Sequence, residues 1–311
     1  MAKTCKIIMY HYVRPIKNSV YPRVKGLEID AFTQQINYFK KNFHVLTASE
    51  FIDGFINQKE IKENSVLLTF DDGLKDHFLH VSSILQKNEL QGLFFLSSKT
   101  VLDKKILDVH KIHFILEKNE KTNELVKEIF YHIKQNRDDY NLAPPEEYFT
   151  RIAKPNRFDS ANIIFIKRML QRDLPIELRE KIVDELFKKY VSNDLESFRD
   201  ELYLNEEDVR EMAENSMYFG SHGYSHEWYT KLNGVQLKNE LEKSFDFCSH
   251  INSNEKRLIF CYPYGDYDQR VIENVKNSGF VAGLTTQVGE AEFESSSAYN
   301  VKRYDTNDFP Q

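Results

Sequence analysis

The chain has 311 residues, among them 23 Phe and 17 Tyr, with a formal net charge of −6 and both signs interspersed along it. That supplies core material for one large α/β domain and lacks the basic footprint of a protein that binds nucleic acid or anionic lipid. Cys5, Cys248 and Cys261 are odd in number and show no metal-type spacing, so they read as reduced thiols and not as a disulfide framework.

The N-terminal apolar run is short and is interrupted by His11 and Arg14, so it does not read as a secretion signal. No apolar run approaches membrane-spanning length. The expectation is a cytoplasmic protein with no membrane span and no nucleic-acid partner.

In chain order, strands are expected at residues 6–10, 65–70 ("SVLLTF"), 92–97, 217–220, 257–262, 281–285 and 300–304. Amphipathic helices are expected at 30–43, 74–88, 234–251 and 267–279. In the first of these, Phe32, Ile36, Phe39 and Phe43 recur at helical spacing and Asp30 suits an N-cap. Strand–helix alternation argues for a parallel sheet, open or closed into a barrel. Residues 101–205 break that rhythm with polar, helical patterns and a Pro-Pro turn at 144–145, which reads as an inserted helical subdomain within a single domain of residues 1–311.

Polar residues gather just past three of the apolar strands. "LLTFDDG" (67–73) sets Asp71 and Asp72 at a strand end, where a turn lets both carboxylates reach one space. Like charges so close call for a cation, although an acidic pair before a glycine also serves as a helix cap. "FGSHGYSHEW" (219–228) carries His222 and His226 four apart, a spacing common in zinc-binding pairs and also found in plain surface loops. Two histidines with Asp72 would leave a metal open to water and substrate. In "FCYPYGDY" (260–267), Pro263 and Gly265 shape a turn that can aim the backbone N–H of Tyr264 at an oxyanion. "KIIMYHYVRP" (6–15) puts His11 at a fourth strand end. Parallel α/β folds build their sites at the carboxyl ends of their strands.

"TFDDG", "SHGYSH" and "YPYG", in that order, resemble the three leading motifs of the polysaccharide deacetylases of carbohydrate esterase family 4, which share the NodB homology domain. The resemblance covers roughly residues 1–100 and 205–311. It implies a distorted (β/α)7 barrel carrying the helical insertion, and one divalent metal, most often zinc, held by Asp72, His222 and His226. It also implies Asp71 as catalytic base.

The sequence departs from the family in two places. Many members carry an arginine just before the third motif's proline, where this chain has Cys261-Tyr262. The usual last motif supplies a histidine as general acid, but here the last histidine, His250, precedes "YPYG". A circularly permuted branch of the family carries "YH" on its N-terminal strand, and "MYHYV" resembles that arrangement, which points to His11. The rival is "LDVHKIHF" (107–114), with His110 and His113 at helical spacing. Histidine suits the task because its pKa lies near working pH.

Arg303 or Asp305, in "RYDTNDF", are candidates to orient the acid or the base. His44, His77, His80, His132 and His250 read as structural or surface residues. The function expected from the resemblance is metal-dependent removal of an acetyl group from an N-acetylated sugar or glycan precursor. Alternatives are hydrolysis of another amide (a cyclic imide, ureide or formamide) and a non-catalytic glycan-binding relative.

Overall fold

The computed structural model describes residues 4–156, 159–253 and 255–310. The chain divides into two compact units. One comprises Met1–Pro15, Lys25–Lys105 and Arg199–Gln311; the other comprises Ile16–Val24 and Ile106–Phe198.

The first unit is built on a curled sheet. Its strands are β1 (Thr4–Tyr10), β2 (His44–Val45), β3 (Ser65–Asp71), β4 (Leu93–Leu96), β5 (Tyr218–Ser221), β6 (Ile259–Cys261), β7 (Ala282–Leu284), β8 (Ala291–Glu292) and β9 (Tyr304–Asp305). The hydrogen-bonded order is β7-β6-β5-β4-β3-β1-β8, parallel throughout except for the short antiparallel β8. The final segment curls the sheet toward closure: Val301 bridges Leu284 of β7, and three residues later Tyr304 of β9 pairs with Ile8 of β1, both in parallel. The expected 300–304 strand is therefore split between two neighbours. This is the distorted NodB-type barrel that the motifs imply.

Strand alternation sorts side chains onto two faces. Ile8, Tyr10, Leu68, Phe70, Phe94, Phe219 and Phe260 face outward and pack against Phe32, Ile36 and Phe39 of the helix Ile29–Asn42 and Leu237 and Leu241 of the helix Gly234–Ile251. Ile7, Leu67, Leu93, Phe95, Ile259 and Leu284 face inward, where Phe51 and Phe55 of the helix Ala48–Ile56 join them. Asp71 continues the Leu67, Thr69 row and Cys261 follows Ile259, so both occupy inward positions at the carboxyl ends of β3 and β6.

The helix Ile29–Asn42 starts one residue earlier than its pattern suggested. Glu28, not Asp30, is its N-cap residue, and Asp30 lies in the first turn, where a carboxylate still favours the helix dipole. The 74–88 helix is divided into a π-helical stretch, His77–Ser82, and the α-helix Ser83–Lys87.

The second unit is helical: Asp108–Lys118, Thr122–Gln135, Pro145–Ile152, Ala161–Arg168 and Ile176–Tyr190 are its α-helices. Phe130, Phe149 and Phe165 form one aromatic cluster of its interior, and Tyr21, Phe114, Phe187 and Phe198 form another. Tyr21 shows why residues 16–24 belong here, a long-range contact that local periodicity does not announce.

Candidate active site

Asp71 ends β3, and Asp72 follows with a left-handed backbone (φ 78°). In a regular strand the two carboxylates would point to opposite faces. The positive φ bends the chain so that Asp72 turns toward the second motif. Gly73 is also left-handed (φ 67°), and a Cβ there would lie 2.4 Å from Leu96 Cδ2, so the motif needs its glycine.

The histidine loop leaves β5 through His222 and returns in His226, which again has a positive φ of 59°. His222 Nε2 lies 3.5 Å and His226 Nε2 3.4 Å from the same oxygen, Asp72 Oδ1. These separations are long for hydrogen bonds, yet a tetrahedral ion with bonds of about 2.1 Å holds its ligands about 3.4 Å apart. His222 Nδ1–H donates to the Cys261 carbonyl at 2.8 Å, which fixes the tautomer and turns the Nε2 lone pair toward Asp72. Burial, first among several influences, pushes the His222 pKa down to about 4, so the ring is neutral and able to ligate at neutral pH. The donor set and its spacing fit a divalent ion such as zinc.

A second trio, Asp71, His222 and Cys261, also has ligand atoms within 4.8 Å of one another, but its chemistry is poorer. Burial holds the Cys261 thiol well above its ordinary pKa, and Arg303 already occupies both oxygens of Asp71. That guanidinium donates Nη1–H to Asp71 Oδ1 (2.9 Å) and Nη2–H to Oδ2 (2.8 Å), while its Nε–H goes to the Thr285 carbonyl (2.8 Å). Burial alone would raise the Asp71 pKa, but its neighbours, Arg303 foremost with His222 and His11, together outweigh it and hold the carboxyl below its ordinary value. Removing one member of such a buried pair costs about 3–5 kcal/mol.

Of the other residues proposed from sequence, His11 joins this cluster. Its Nε2 lies 3.9 Å from Asp71 Oδ2, and its side chain is 41 % exposed where Asp71 is 2 %, so it is the member that solvent and substrate can reach. Tyr264 (φ 58°) packs its ring edge-on to His226 (centroids 4.5 Å apart) and stacks on Trp228 at 4.6 Å. Asp305 pairs with Met9 of β1, and its carboxylate accepts from Asn307 N–H and caps the turn Thr306–Asp308. His110 and His113 lie on Asp108–Lys118 in the helical unit, the first buried and the second half-buried, with ring centroids 5.8 Å apart.

Sequence reasoning missed two residues. His77, read as merely structural, donates its Nε2–H to the His11 carbonyl at 2.9 Å and so supports the strand end that presents His11. Glu240, in the helix Gly234–Ile251, accepts from the backbone N–H groups of Tyr224 (3.1 Å) and Ser225 (2.9 Å) and from the Ser225 hydroxyl. It thereby holds the loop between the two histidines. No local signal separates Glu240 from its acidic neighbours.

A family model described as polysaccharide deacetylase matches residues 182–283, a stretch holding the second and third motifs. That stretch of the chain is similar to the polysaccharide deacetylases. A Bacillus subtilis protein, YxkH, named for a presumed polysaccharide deacetylase, is 29% identical over 92 residues, which is 29% of this chain and 32% of that protein. The match thus spans about a third of the curated relative. Among solved structures, the Streptococcus pyogenes deacetylase PplD aligns with a TM-score of 0.60 at 14% identity, over 97% of this chain and 92% of its own. IcaB from Ammonifex degensii aligns at 0.58 and 16%, over 99% and 94%. A de-N-acetylase from Aggregatibacter actinomycetemcomitans aligns at 0.54 and 14%, over 96% and 94%. At these identities the structural likeness is one of fold.

Proposed function

We propose that this protein is a metal-dependent N-deacetylase that hydrolyses the acetamide of an N-acetylated sugar to a free amine and acetate. The observation that carries the reading is the convergence of His222 Nε2 and His226 Nε2 on Asp72 Oδ1 at tetrahedral spacing, beside an Asp71 held ionised by Arg303. A divalent ion, zinc by preference, bound by Asp72, His222 and His226 would polarise the acetyl carbonyl and acidify a water. Asp71 takes a proton from the attacking water as its oxygen bonds to the carbonyl carbon. The Tyr264 backbone N–H would donate to the resulting oxyanion. His11, exposed beside Asp71, gives a proton to the nitrogen as the C–N bond breaks, which makes the amine a competent leaving group.

Supporting this substrate class, one fold neighbour is a de-N-acetylase and another was solved with acetate. All three cysteines are free and buried, which suits a cytoplasmic setting and a small, nucleotide-linked or lipid-linked sugar. No helix among the described residues is long and apolar enough to cross a membrane.

The test is acetate release from N-acetylglucosamine, UDP-N-acetylglucosamine and short N-acetylglucosamine oligomers by the zinc-loaded protein. Asp71→Asn is expected to abolish turnover with zinc still bound, and His11→Asn to lower kcat by about a hundredfold or more, the usual worth of a general acid. Turnover that survives Asp71→Asn, or acetate release unaffected by stripping the metal, would overturn the reading.

A further inference from the structure

The helical stretch Ile106–Phe198 interrupts the sheet unit between β4 and β5. The chain enters it through residues 97–105 and leaves it through residues 199–208. Both of these stems belong to the sheet unit, and each is bonded to a different one of the two loops that carry Asp72, His222 and His226.

The entry stem holds the histidine loop. β4 and β5 pair as far as Leu96 and Ser221, and the stem carries the bonding on past the strands. His222 N–H donates to the Leu96 carbonyl (2.8 Å), Ser98 N–H to the Gly223 carbonyl (3.2 Å) and Lys99 N–H to the Tyr224 carbonyl (2.9 Å). The Ser97 hydroxyl donates to the His222 carbonyl at 3.0 Å, and the Tyr224 hydroxyl donates to Asp103. Gly223 and Tyr224 lie between the two histidines, so the stem fixes the stretch that sets the distance between their rings. The exit stem holds the other loop. Tyr203 forms an antiparallel bridge with Leu74, and Leu204 N–H donates to the Gly73 carbonyl at 3.0 Å, one residue from Asp72. Lys75 then donates its ammonium to Asp208 Oδ2 at 2.5 Å, in the first turn of the helix Glu206–Glu214. The two side chains are only 19 % and 8 % exposed, so water screens this pair little.

We propose that the stems of the helical insertion position the metal site, the entry stem through the histidine loop and the exit stem through the loop of Asp72, with Lys75 and Asp208 as the side-chain lock of the second. The physical reason is preorganisation. Asp72, Gly73, Gly223 and His226 all hold left-handed backbone, so the loops need support from outside themselves to keep three ligand atoms at bonding distance from one point. Ligands held in place before the ion arrives spare it the cost of ordering them. Lys75 touches no ligand atom and acts through the backbone of Asp72 and Gly73.

The proposal rests on Asp72, His222 and His226 being the ligands, and the experiment separates the two. Zinc affinity, by competition with a chromophoric chelator, and the metal-free melting temperature are measured for Lys75→Met, Lys75→Arg and Asp72→Ala. Lys75→Met leaves the bond from Asn205 N–H to Asp208 Oδ2 in place. It is expected to lower zinc affinity by about tenfold to a hundredfold, the usual worth of outer-shell support. Lys75→Arg, which keeps the charge and a donor, should stay within about threefold of the parent. Backbone hydrogen exchange of the unaltered protein reads both stems without any substitution. Zinc is expected to slow the amides of Ser98, Lys99 and Leu204 by at least about tenfold more than the amide of Phe43, because an ion that binds only the ordered loops opposes their opening. Phe43 serves as reference because it precedes His44, which pairs with Ser65 at the opposite end of β3 from Asp72.

A Lys75→Met protein with a lower melting temperature and undiminished zinc affinity would make the ion pair a brace of the fold and overturn its role as a lock. Stem amides slowed no more than Phe43 would overturn the positioning of the site by the stems, even with Asp72→Ala unable to bind zinc. An Asp72→Ala protein that binds zinc as tightly as the parent would instead overturn the ligand assignment on which the proposal depends.

Discussion

Each unit of this protein buries a cation against carboxylates, and the two arrangements do different work. In the helical unit Lys111 bridges Asp108, one turn away on its own helix, and Asp184 on the helix Ile176–Tyr190, at 3.1 and 2.6 Å. That pairing also has more carboxylates than cations, but Asp184 is 45 % exposed and water carries the surplus. In the sheet unit Arg303 neutralises Asp71, and the next carboxylate, Asp72, is 5 % exposed and lies within 3.5 Å of two imidazoles. The backbone at the two ion pairs differs as well. Lys111 sits in regular helix, whereas Asp72, His226 and Tyr264 all hold positive φ values, each costing about 1–2 kcal/mol for a non-glycine residue. A buried ion pair by itself is therefore a weak mark of a site. A buried carboxylate on which two imidazoles converge, all on left-handed or loop backbone at strand ends, is a stronger one.

That contrast breaks most visibly at Asp72. Asp72→Ala is expected to weaken zinc binding by more than about a hundredfold, beyond the losses typical of outer-shell changes, and to leave the metal-free melting temperature unchanged or higher. Competition against a chromophoric chelator reads the first and a thermal scan in chelator the second. A metal-free protein markedly destabilised by the change would show that the carboxylate serves the fold.

Glu240→Gln sharpens the point, because Glu240 touches the metal loop and no ligand atom. The expected loss is about tenfold to a hundredfold in zinc affinity, with an unchanged far-ultraviolet circular dichroism spectrum. Undiminished zinc affinity would reduce Glu240 to a loop brace.

Lys111→Met probes the other unit. With one of its two carboxylates largely solvated, the pair contributes about 1 kcal/mol or less. A slight fall in the urea midpoint is expected, with zinc affinity unmoved. A shift in zinc affinity would mean that charge in the helical unit bears on the site after all.

The smallest expected effect is at His77, whose pKa burial holds below its ordinary 6.5. The folded protein keeps this ring neutral while the unfolded chain protonates it more readily. The stability it confers is therefore present above about pH 6.5 and is lost as pH falls toward the folded-state pKa. His77→Gln keeps a donor for the His11 carbonyl and removes the titration, so unfolding free energy should decline less steeply between pH 7 and pH 5. An identical slope in the two proteins would place His77 outside this balance.

How much of this was legible beforehand follows from how far apart the partners lie. Short apolar runs mark β1, β3, β4, β5 and β6 to within a residue or two, and the polar residues ending them read as the site. The same reading took His77 as inert, because its partner is a backbone carbonyl 66 positions away. It left Arg303 and Asp305 undistinguished, although they lie two residues apart on the same short segment. The structure separates them by direction: Arg303 turns inward to Asp71, and Asp305 folds back on its own turn.

The sequence by itself determined the strands and the identity of the residues that converge at Asp72, because these depend on local apolar patterning and side-chain chemistry. Only the tertiary structure decided which cation answers Asp71. Arg303 lies 232 positions away, and it arrives because the last segment must pair with both β7 and β1 to curl the sheet. Sheet closure is a property of the whole chain, and no window of neighbouring residues contains it.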